Sequence, residues 1–204
     1  MQSNGPDDSA PGAEPNAAPD GRTIYIRAVV DVAGTLRDLP ALPAASDTPL
    51  PVSFDSGRLI VTAMPGSADQ DTGAISVNAA TGDTLRFYAV SGSNNFDAAV
   101  LIQDVIPDDS IEADDTIFDE IALVNLQQQA VAPATPAGEL AVTDVSQEFW
   151  FWQCAIAGEG SQNFSLVLAL YGRDEAGQPR HAGLYRWDLT LTVQTSSRST
   201  DDNT

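Results

Sequence analysis

The segment Glu148–Val193, EFWFWQCAIAGEGSQNFSLVLALYGRDEAGQPRHAGLYRWDLTLTV, constrains the fold more than any other part of the chain. It contains all three tryptophans (Trp150, Trp152, Trp187), the single cysteine (Cys154) and the single histidine (His181). Alternating and β-branched runs separated by glycine-marked turns predict three strands, at about Gln147–Ile156, Gln162–Tyr171 and Ala182–Gln194. In a strand successive side chains face opposite ways, so Phe149 and Phe151 share one face and Trp150 and Trp152 the other. One pair faces a core. The other needs a second apolar environment: a covering loop such as residues 37–57, a subunit interface or a ligand groove.

The middle strand, NFSLVLALYG, is apolar at nearly every position and reads as central, covered on both faces. On the last strand Tyr185 and Trp187 share a face, while Arg186 and Asp188 share the other and are placed to pair locally. Phe149, Trp150, Phe151, Trp152, Tyr185 and Trp187 together form the expected interaction surface.

Earlier in the chain, strand signals recur at Thr23–Val32, Arg58–Ala63, Gly73–Asn78, Thr84–Val90 and Phe96–Val105. The Thr-Gly-Asp turn at 81–83 predicts a hairpin between two of them. Pro40, Pro43, Pro49 and Pro51 define a loop, and the segment Ile106–Gln129 is ambiguous, with a strand expected at Thr116–Asn125. The sum is an all-β, single-domain antiparallel β-sandwich, jelly-roll-like, of eight or nine strands spanning residues 22–194. Residues 1–21 form an acidic tail rich in Pro, Gly, Ala and Ser, and residues 195–204 are similarly polar; both are expected to be disordered.

Composition excludes several functions. The net charge is −20, all nine basic residues are arginine, and they are scattered, so neither nucleic acid nor an anionic membrane is an expected partner. No window matches a membrane span and the N-terminus lacks the pattern of a secretory signal, which predicts a soluble, cytoplasmic protein. One cysteine precludes an internal disulfide, and one His with one Cys precludes a usual zinc site. The run Asp104–Glu120 holds eight carboxylates, yet in the EF-hand register Ala113 replaces the required Gly and Asp119 the final Glu. It reads as a solvated loop, and no metal or cofactor is expected. A Cys154/His181 dyad is disfavoured because Cys154 falls inside a strand, and there is no G-x-S-x-G elbow. No catalytic residues are assigned, and the chain is expected not to be an enzyme.

The C-terminal segment resembles the signature of the bacterial inclusion-body protein family, also called the AidA/PixA family. That signature has a Y/F-F-W-Q motif, an all-apolar strand, a D-x-x-G loop and a closing W-D strand. IYIRAVVDVAGTL is similar to the family's opening strand, and Thr81-Gly82-Asp83-Thr84-Leu85-Arg86-Phe87 to its V-G-D-x-I-R-W strand pair. Leu189 stands where members often have Pro, and the acidic N-terminal tail is additional. The resemblance implies a β-sandwich in a cytoplasmic bacterial protein, with expression linked in some members to quorum sensing or crystalline inclusions, and it carries over no catalytic residue. The expected role is that of a non-enzymatic, self-associating homo-oligomer. The alternative is a small-ligand or carbohydrate-binding module that uses the same aromatics on a sugar or other small ligand.

Overall fold

A computed structural model describes residues 21–39, 47–53, 59–64, 66–69, 72–108, 116–133 and 142–195. The expected tails therefore lie almost wholly outside the described residues, as does 109–115 of the acidic run. The first half comprises β1 (Thr23–Val30), α1 (Val32–Asp38), β2 (Leu50–Pro51), β3 (Leu59–Met64), β4 (Ser67–Ala68), β5 (Ala74–Ala79) and β6 (Thr84–Ser91). The second comprises β7 (Ala99–Pro107), β8 (Ala122–Pro133), β9 (Val142–Ala155), β10 (Gly160–Arg173) and β11 (Pro179–Thr195). Eleven strands are thus present among the described residues, two of them only two residues long.

They form two packed sheets. The first has the order β3-β1-β6-β9-β8; the second runs β4-β5-β11-β10-β7, with β2 also on β11. The all-β sandwich is as expected, but the pairing is mixed rather than purely antiparallel. β1 runs parallel to β6, and β5 and β2 run parallel to β11. Side chains at alternate positions of both sheets meet in one core, with Phe87, Phe118 and Phe164 packed tilted or edge-to-face at centroid distances of 5.6–6.4 Å. On β10 every residue from Leu166 to Leu170 is buried, as its unbroken apolar run predicts.

Three local expectations are corrected. The β5–β6 turn is an arch between the sheets, not a hairpin, because β5 pairs with β11 while β6 pairs with β1 and β9. Asp83 holds the arch: its buried carboxylate accepts from the backbone N–H of Arg22 (2.9 Å) and Ala80 (3.0 Å). Gly82 takes a φ of 88°, open to glycine without strain. Next, β1 ends at Val30 because the Asp31 carboxylate accepts from Gly34 N–H at 2.9 Å, capping α1, a short helix whose periodicity is too brief to register in the sequence. Finally, the strand placed at Thr116–Asn125 is displaced C-terminally to Ala122–Pro133, running through three successive glutamines.

Candidate interaction site

The site lies where two neighbouring strands part company. β6 pairs with β9 only from Thr84↔Ala155 to Phe87↔Trp152. Beyond that point β6 continues along β1 to Ser91, whereas β9 pairs with β8 alone, residue for residue, as far as Pro133↔Val142. The β8–β9 ribbon is therefore an arm extending past the body of the sheet, and residues 143–150 are all exposed.

Alternation along β9 places its aromatics in three environments. Trp152 and Cys154 face inward; the Trp152 indole N–H donates to the Ile102 carbonyl at 3.0 Å. Phe151 faces outward yet is buried, because the Arg86 guanidinium sits 4.4 Å from its ring centroid and Arg86 Nε donates to Gln153 Oε1 at 2.9 Å. Phe149 and Trp150, at 37% and 55% exposure, lie on the arm where no second sheet covers them. Neither of the two expected pairs is cleanly inside or outside, because the sheet runs out of partner between Trp152 and Trp150.

Along the outer face at this fork lies a groove of about 350 Å³, lined by Tyr25, Arg86, Tyr88, Leu126, Gln128, Phe149, Trp150 and Phe151. Tyr25 and Tyr88 pack edge-to-face, 6.4 Å between centroids. These two tyrosines, Arg86, Leu126 and Gln128 were not singled out by sequence reasoning, since they come from strands far apart in the chain. Their only signal is local: Tyr25 alternates with the buried Ile24 and Ile26, and Arg86 and Tyr88 flank the buried Phe87. The arrangement offers stacking faces, one cation and one amide. That suits binding or docking.

Tyr185 and Trp187 do not belong to any surface. They are 1% and 0% exposed, because this part of β11 pairs with β10 on one side and β2 on the other and both side chains point into the core. Arg186 and Asp188 do pair on the opposite face, at 3.2 Å, but both are substantially exposed, so the pair contributes little. The covering loop expected at 37–57 does not lie over the aromatic fork in its described part: Leu50 and Pro51 pair with β11 of the other sheet. Residues 40–46 and 54–58 are outside the described set.

Cys154 and His181 lie in different sheets. Burial, with a smaller contribution from Asp119, pushes the Cys154 thiol up to about 12, so it is not a thiolate at neutral pH. His181 instead rests against Tyr171, 5.3 Å between ring centroids. Among the described residues no cluster of three or more His, Cys, Asp or Glu is arranged to hold a metal, and no helix is long and apolar enough to cross a membrane.

Comparison with known proteins agrees with this architecture. Residues 22–193 match the family model described as PixA, inclusion body protein. The crystal structure of an inclusion body protein (PixA) from Burkholderia cenocepacia superposes with a TM-score of 0.63 at 22% identity, covering 85% of this chain and 97% of that one. At that identity the likeness speaks for the fold. A search of the curated proteins returned no match. With the family model spanning the body from before β1 to within two residues of the end of β11, the chain belongs to the PixA family of inclusion body proteins.

Proposed function

We propose that this protein acts without catalysis, as a cytoplasmic β-sandwich that associates with copies of itself. The observation that carries the reading is the placement of Phe149 and Trp150 on a projecting ribbon, outside the core that claims the other tryptophans. Exposed aromatics in this setting favour association, since burying them removes apolar surface from water. Opposing that gain is the repulsion of two chains of net charge −20, which salt screens. Light scattering over rising protein concentration should therefore show apparent mass growing with concentration, and growing faster at high salt than at low. A strict monomer up to millimolar concentration in both buffers would sink the proposal.

The groove supports a second reading, a small-ligand or glycan site. Its lining of five aromatic residues beside the Arg86 and Gln128 side chains matches the mixture of stacking and hydrogen-bonding groups that such ligands use. Trp187 is fully buried and Trp152 half-buried, so a change in tryptophan emission on ligand addition reports chiefly on Trp150. A panel of mono- and oligosaccharides is expected to shift that emission in wild type and not in Trp150→Ala. No shift with any sugar would remove the glycan reading.

A further inference from the structure

We propose that the partner surface for self-association is the free edge of β8, paired antiparallel with the same edge of a second copy across a two-fold axis. This rests on the self-association reading above and deepens it. β8 ends its sheet: β9 occupies one side, and among the described residues no strand occupies the other. Such an edge presents unpaired backbone N–H and C=O groups, and proteins that must avoid edge pairing place charges, bulges or central prolines there. β8 has none of these. Its sequence, ALVNLQQQAVAP, contains no charged residue, its ladder with β9 shows no register shift, and its one proline is the last residue.

Charge selects a second copy as the occupant. The whole ribbon carries only Asp144 and Glu148, on β9, in a chain with 29 acidic residues. A basic partner would be drawn to the acidic remainder of the surface. Another copy, equally acidic, approaches at least cost along an uncharged strip. Size is also adequate: at about 3.4 Å per residue the strand is roughly 40 Å long, enough with its flanking side chains to approach the ~800 Å² per partner of a standard interface.

The side chains choose a register. A two-fold axis at Gln127, perpendicular to the sheet, keeps facing residues on the same side. It sets Leu123 of one copy opposite Val131 of the other, and Asn125 opposite Gln129. Leu123 and Val131 are 52% and 70% exposed in the single chain, so this register covers both. Gln127 then faces its own copy on the axis, and the first sheet runs on through both molecules.

Two variants test this, each judged beside wild type by sedimentation equilibrium. Leu123→Glu/Val131→Glu places like charges opposite each other and should weaken association by roughly tenfold or more, with an unchanged thermal midpoint showing that the fold is intact. Gln127→Cys should give a disulfide-linked dimer under mild oxidation, since facing Cα atoms in an antiparallel pair lie about 4.5–5.5 Å apart, within disulfide reach. The buried Cys154 contributes no background, and Ser161→Cys, on the other sheet, should not cross-link. If wild type associates but the double variant associates equally well and Gln127→Cys forms no covalent dimer, the β8 edge is the wrong surface. If wild type is itself monomeric, self-association fails and this inference with it.

Discussion

Trp187→Ala is expected to be the most damaging single truncation in this chain, costing about 3–5 kcal/mol. The side chain is fully buried, on a strand flanked on both sides, beside Tyr185 at 6.3 Å between ring centroids. Close-packed neighbours relax only partly into a cavity of indole size, so the lost transfer energy is compounded by lost packing. For a domain of this length, that corresponds to a fall of about 10–15 °C in the unfolding midpoint. Trp187→Phe is a sharper probe. The buried indole Nε1 has no hydrogen-bond partner among the described residues, so replacing the indole by a phenyl ring removes a donor that burial leaves unsatisfied. It should therefore cost less than half as much as alanine, by urea unfolding monitored by circular dichroism. An alanine variant within about 1 kcal/mol of wild type would contradict the assignment of Trp187 as the core's anchor.

Asp83→Ala should come second, at about 2–4 kcal/mol at neutral pH, because it strands two backbone N–H groups at the arch between the sheets. The added ion pair, Arg22 Nη2 to Asp83 Oδ2 at 3.2 Å, contributes less, since the Arg22 side chain is nearly half exposed. Burial alone would raise the Asp83 pKa. The hydrogen bonds from Ala80 and Arg22 and the Arg22 charge outweigh it and hold the carboxyl below its ordinary value. A carboxyl depressed in the folded state contributes stability that is complete above its unfolded pKa of about 3.9 and is lost as pH falls through the lower folded value. The difference in unfolding free energy between wild type and Asp83→Asn should thus be flat from about pH 7 to 5 and shrink below about pH 4. A difference that stays constant into acid would show that this carboxylate does not hold the arch.

The sandwich was readable because its signals are local. Alternation over Ile24, Ile26 and Ala28 and the apolar run of β10 each announce burial by spacing alone. The failures share a cause. The Thr-Gly-Asp turn has the local chemistry of a hairpin, but its two strands pair in different sheets, and the bond Asp83 accepts from Arg22, 61 residues away, pins the resulting arch. Likewise the pattern at Tyr185 and Trp187 marks one face of a strand without saying whether that face is inside or outside.

What the amino-acid sequence by itself determined is the strand content, the two-faced character of Phe149–Trp152 and the absence of any charge along β8. All follow from side-chain type and a two-residue period. Only the tertiary structure decided that β9 loses its pairing with β6 between Trp152 and Trp150, that Arg86 shields Phe151, and that a tyrosine pair completes the groove. Those facts depend on where one strand stops pairing with another. That stopping point is set by the twist and length of neighbours distant in the chain, which no local pattern records.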